Sequence, residues 1–121
     1  MQIYSFDPAA GKSITAYDSK FIISRIVRTP EPAFIGCMHL ETDGVIGRHA
    51  APVPQLLLIV SGEGQVTGNE GITASVYPGD AVFWERDEWH ETRTTVGMTA
   101  IVIESGALNP GDLMQLKVNG K

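Results

Sequence analysis

The stretch from Gly79 to Glu91, GDAVFWERDEWHE, decides how this chain folds. Ala81 to Trp84 is short, apolar and aromatic, which is the pattern of a buried strand. The charged run Glu85, Arg86, Asp87, Glu88 then turns the chain before Trp89 and His90. A histidine that enters a strand directly after such a turn faces either the core or a site. The same combination recurs upstream in GRHAAPVPQLLLIVSGEG, residues 47 to 64, which carries His49. There Pro52 and Pro54 remove two backbone donors, so His49 and Gln55 cannot share one regular ladder and the chain bends between them.

Outward from these two stretches the pattern stays β. Phe21 to Arg28 is rich in isoleucine and valine and reads as the first firm strand, Phe34 to Glu41 as the second, and Gln55 to Ser61 as a strand after the proline bend. Gln65 to Thr67, Ile72 to Tyr77, Ala81 to Trp84, Trp89 to Thr95 and Met98 to Glu104 follow, with Gly, Pro, Asn or Asp in the links between most of them. About eight short strands at roughly ten-residue spacing, with no helix-period segment long enough for a crossover, define a sandwich or barrel and exclude a parallel sheet. Residues 1 to 19 read as an arm with at most a short strand. The core is expected over about 20–104, and residues 105 to 121 as a turn-rich tail in which Leu113 to Val118 forms a short helix or a terminal strand.

Composition bounds the functions. A chain of 121 residues, 43% hydrophobic and 19% charged, is one ordinary globular domain rather than a disordered segment. A net charge of -5 argues against nucleic acid or an anionic membrane as the main partner. The longest apolar run, Leu56 to Val60, is far too short to span a bilayer, and the start carries no secretory pattern, so cytoplasmic residence is the expectation. Cys37 is alone, which excludes an intramolecular disulfide and a cysteine-rich metal centre, and reads as a small buried hydrophobe.

The two histidine stretches together resemble the two signature motifs of the cupin superfamily. The first of those motifs runs glycine, HxH, glutamate, glycine, and the second glycine, PxG, histidine, asparagine. In the first, Gly44, His49 and Gly62 match, while Ala51 takes the place of the second histidine and Gln55 that of the glutamate. In the second, Gly79 and His90 match, while Glu85 and Asp87 replace the proline and glycine and Thr94 the asparagine. The resemblance covers roughly residues 35 to 104 and implies an all-β double-stranded β-helix, or jelly-roll barrel, with a pocket in its mouth. Cupins commonly hold a metal with three histidines and one glutamate. This chain keeps two of the four, so the implied ligand set is His49, Gln55 and His90, with positions left for water or ligand. Two imidazoles favour a late divalent metal, zinc, iron, nickel or copper, over magnesium or calcium. Equally, a histidine pair with a glutamine can form a hydrogen-bonded cluster without any metal.

Trp84 and Trp89 are the candidate pocket walls, with at least one ring lining the mouth and the other packing on neighbouring structure. Strand alternation places His39 opposite Phe34, Met38 and Leu40, outside the pocket, and Glu91 on the face opposite His90. Glu85 and Glu88 lie in a charged turn and are expected to be solvated. Leu56, Leu58 and Val60 face away from Gln55, and an apolar outer face needs a cover, which a homodimer or the N-terminal arm would supply. Three functions follow: a barrel that binds a small molecule, a metal-dependent enzyme of the oxygenase or isomerase type, and a structural barrel without a site. The first ranks ahead, because a fold resemblance does not supply a reaction.

Overall fold

The computed structural model describes residues 1–117. Twelve strands, β1 (Gln2–Ser5), β2 (Lys12–Ile14), β3 (Phe21–Ile23), β4 (Ala33–Leu40), β5 (Val45–Ala50), β6 (Gln55–Gly62), β7 (Gly64–Thr67), β8 (Thr73–Val76), β9 (Asp80–Trp84), β10 (Trp89–Arg93), β11 (Met98–Ser105) and β12 (Gln115–Leu116), are joined by turns and short 3₁₀ segments. The fold is the expected all-β double-stranded β-helix. A six-stranded sheet runs β12-β1-β9-β6-β11-β4 and a four-stranded sheet β5-β10-β7-β8. Every strand pair is antiparallel.

The period-2 alternation of the strands builds the interior between the sheets. Leu57 and Ile59 of β6, Val82 and Trp84 of β9, and Met98, Ala100 and Val102 of β11 meet Val66, Ala74 and Val76 from the smaller sheet. Burying an aliphatic side chain of this size stabilises the fold by roughly 1.5 to 3 kcal/mol. Pro52 and Pro54 do what their missing donors require: the chain leaves the small sheet at Ala50 and re-enters the large one at Gln55. That crossing sets His49 and Gln55 on different sheets.

Several expectations are corrected. The core extends beyond 20–104, because Gln2–Ser5 of the supposed arm is a strand between β9 and β12, with Ile3 and Tyr4 buried. Conversely, the strand expected over Phe21 to Arg28 stops at Ile23 and pairs with β2 in a separate hairpin, where its side chains are half exposed. Ile26 and Val27, which made that stretch look like a strand, instead pack on the outer face of the large sheet. In the tail, Gln115–Leu116 forms the terminal strand alternative, while Val118 lies outside the described residues. Cys37 is exposed on the edge strand β4, not buried.

The apolar outer face is covered by the chain itself. Leu56 and Leu58 are buried with Tyr4, Ala81, Phe83 and Ile103 beneath Leu108 and Met114 of the tail, with Phe6, Ile26 and Val27 at the margin. The reason for expecting a homodimer through this face is thereby removed for Leu56 and Leu58; Val60 stays exposed. No helix among the described residues is long and apolar enough to cross a membrane.

Candidate functional site

His90, the second residue of β10, stands directly opposite His49 of β5 in the strand register, just before a register shift between His90 and Thr92. The ring centroids of the two histidines are 4.4 Å apart. His90 also stacks on Trp84 at 4.5 Å and an interplanar angle of 28°. Trp84 is in turn the register partner of Gln55 across β9 and β6. Gln55, Trp84, His90 and His49 thus form a continuous row from the large sheet to the small one. The first three are 5%, 1% and 2% exposed. His49 is exposed and forms the solvent end of the row.

Both imidazoles are held in one tautomer. His90 Nδ1 lies 3.2 Å from the Glu88 carbonyl and His49 Nδ1 lies 2.7 Å from the Gly47 carbonyl. A carbonyl oxygen only accepts, so each Nδ1 carries a proton and donates, and in the neutral ring it is Nε2 that keeps the lone pair. Burial pushes the His90 ring below the usual histidine range, against an upward pull from its bond to the Glu88 carbonyl; nearby His49 adds to the lowering and the Glu88 charge opposes it. His90 is accordingly a neutral acceptor near neutral pH.

Three buried atoms in this row, Gln55 Oε1, Trp84 Nε1 and His90 Nε2, have no hydrogen-bond partner among the described residues. A buried polar group left unmet costs about 1–3 kcal/mol. All three lie on residues joined by strand register or by stacking, Gln55 to Trp84 and Trp84 to His90. The donor set also fits a late transition metal: two imidazoles with Nδ1 tied to backbone carbonyls, the arrangement metal-binding histidines use, and one amide oxygen. It contains no carboxylate, and no cluster of three or more His, Cys, Asp and Glu suited to a metal occurs among the described residues. Ala51, at the second histidine position, is fully buried.

The remaining candidates fall elsewhere. Trp89 does not share the wall with Trp84: it points to the face opposite His90, is 48% exposed, and lies under the Arg48 guanidinium at 5.7 Å. His39 is exposed on β4. Glu88, expected in solvent, is buried; its Oε2 meets the Met1 amino group at 2.7 Å and its Oε1 accepts the Glu85 N–H at 3.1 Å. Sequence reasoning missed this residue because a charge in a charged turn carries no sign of burial. Its partner lies at the other end of the chain. Thr94, in the asparagine position, ties the β10 end down: its hydroxyl donates to the Glu63 carbonyl at 2.6 Å and accepts from the Gly97 N–H at 3.0 Å.

A double-stranded barrel whose mouth carries paired imidazoles is the architecture of the cupins, and comparison with known proteins agrees. The chain belongs to the cupin domain family, whose model matches residues 36–105. An (R)-mandelonitrile lyase from Granulicella tundricola is 27% identical over 86 residues, which cover 68% of this chain and 66% of that enzyme, just under two thirds of its length. Among solved structures, a conserved protein of unknown function from Streptococcus pyogenes superposes with a TM-score of 0.58 at 19% identity, covering 66% of this chain and 68% of the other. A cupin superfamily protein from Desulfitobacterium hafniense gives 0.57 at 14% identity over 64% of this chain and 69% of its own. At such identities these likenesses speak for the fold.

Proposed function

We propose that the barrel mouth binds a small organic molecule between Gln55, Trp84, His90 and His49. The observation that carries this reading is the set of three adjoining buried polar atoms without partners, Gln55 Oε1, Trp84 Nε1 and His90 Nε2. His49, Gln55 and His90 would hold a divalent zinc, iron, nickel or copper ion there. Such an ion would supply Lewis-acid polarisation of a ligand oxygen. The protein's own part is to orient both imidazoles through the Gly47 and Glu88 carbonyls, with the Trp84 ring stacked on His90.

A second reading, metal-dependent catalysis on a small substrate, draws its support from the likeness to a mandelonitrile lyase. Elemental analysis of the purified protein and of the His49→Ala/His90→Ala double variant, with a thermal-shift screen of small molecules on both, separates the readings. Ligand-dependent stabilisation without turnover, with or without metal, selects the first, and metal with turnover selects the second. A wild type that holds no metal and gains no stability from any compound leaves the mouth inert.

A further inference from the structure

We infer that the free edge of β4 is a docking site for a second copy of this chain, the two strands pairing antiparallel about a two-fold axis at Cys37. β4 ends the six-stranded sheet and pairs on one side only, with β11. It is eight residues long, and among the described residues no backbone group of residues 33–39 bonds outside that ladder. A bare row of N–H and C=O groups is a template for another strand, and folded proteins guard it with charge, proline, a bulge or short length. The other edges of the two main sheets carry such guards: β12 has two residues, β8 four, and β5 holds Arg48. The β4 sequence AFIGCMHL has none, for it lacks Lys, Arg, Asp, Glu and Pro and pairs with β11 without a register shift. Phe34 and Ile35 instead stand 64% and 63% exposed along it.

The pattern of the strand identifies the occupant as another β4. Residues opposite each other in an antiparallel pair share a face, so a strand that pairs with its own copy about a two-fold axis sets one residue against itself. The middle of Ala33–Leu40 leaves Gly36 and Cys37 for that place. With Gly36 on the axis, Leu40 falls opposite Pro32, which has no N–H to give. With Cys37 on the axis, Phe34 meets Leu40, Gly36 meets Met38 and Ile35 meets His39, and no like charges stand opposite each other. Phe34 lies on the same face as Met38 and Leu40, which pack on the interior cluster, Met38 only partly buried there. The Phe34 ring of the second copy therefore extends the core along a margin that one chain leaves open. Phe34 to Leu40 is a shorter contact than the roughly 20–30 residues a side of a standard interface, so the dimer exchanges with monomer in the micromolar range.

Sedimentation velocity of the full chain over about 1 to 200 μM follows the association by mass action. Cys37, the single cysteine, reports the register, because directly opposite residues lie about 4.5–5.5 Å apart between Cα atoms, within the span of a disulfide. Oxidised glutathione takes two electrons and two protons from the facing thiols, so that one Cys37–Cys37 bond forms and two reduced glutathiones leave. The expected result is a dimer in the upper part of the range, and on oxidation a covalent dimer that Cys37→Ser does not form although it still associates. Ile35→Lys, which adds the guard this edge lacks, should weaken association about tenfold or more. His39→Glu, at an exposed position that is already polar, should do the same, so a folding defect in Ile35→Lys does not decide the matter. A full chain that stays monomeric throughout, or a dimer that both variants leave intact, overturns the proposal. A dimer that they weaken but in which Cys37 does not link overturns the axis at Cys37.

Discussion

His49 and His90 face each other across the β5–β10 pair with ring centroids 4.4 Å apart, and each donates its Nδ1 proton to a backbone carbonyl two residues earlier in its own strand region. Two imidazoles so fixed present two lone pairs at little further entropic cost, since neither ring has to choose a tautomer. Removing either should therefore abolish most of any metal affinity. Titration of zinc or nickel into metal-free protein is expected to show at least a tenfold loss for His90→Ala and for His49→Ala, and a smaller one for Gln55→Ala, whose amide oxygen brings no charge. Equal affinity in wild type and His90→Ala would remove the imidazoles from the ligand set.

The buried, neutral state of His90 has a consequence for stability against pH. Its folded pKa is lowered from the usual 6.5, chiefly by burial. Below 6.5 the unfolded chain takes up this proton while the folded chain resists it, so stability is present above that pH and is lost as the pH falls toward the folded value. Urea midpoints at pH 7.5 and pH 5 should differ more for wild type than for His90→Gln, which cannot take up a proton. Identical pH slopes in the two proteins would show that His90 is not the group responsible.

The fold was legible because its evidence is periodic. The alternation of Leu57 and Ile59 with Leu56 and Leu58, the Pro52-Val53-Pro54 crossing and the Asp87 turn each act through local backbone chemistry, and each lies where the pattern puts it. The His49–His90 juxtaposition was suggested only by the motif resemblance, because nothing local in either strand specifies its partner. Trp84 and Trp89 illustrate the remainder. Both are aromatic residues flanking one turn, yet one stacks on His90 and the other lies outside under Arg48, because strand parity after the turn separates them. Gln2–Ser5 and Glu88 escaped for a related reason: the ladder of the first and the amino-group partner of the second come from segments far away in sequence.

Leu57 lies in the interior between the sheets, fully buried among Ile59, Val82 and Val102. Leu57→Ala should cost about 2 to 5 kcal/mol, the transfer energy of the lost methyl groups plus the cavity left in a rigid sheet. Equilibrium denaturation in urea measures it. A change below about half a kcal/mol, the range of ordinary surface substitutions, would contradict the assignment of this face to the core.

The final prediction concerns the cover on the outer face of the large sheet. Leu108 and Met114 lie over Leu56, Leu58, Phe83 and Ile103, so the tail does for this face what a second protomer was expected to do. A chain truncated after Gly106 loses both residues along with β12, and with them the pairing of Tyr4 to Leu116. The exposed leucines and Phe83 would then form a contiguous apolar patch on a sheet that also has a newly bared edge at β1, the combination that drives association of β proteins. Sedimentation velocity should show the truncated chain growing in size with concentration over a range in which the full chain does not change. Replacing Leu108 by Asp in the full chain should move it in the same direction to a lesser degree, because β12 and Met114 remain. If the truncated chain sediments as the full chain does at every concentration, the tail is not the cover, and Leu56 and Leu58 are protected by Phe6, Ile26 and Val27 alone.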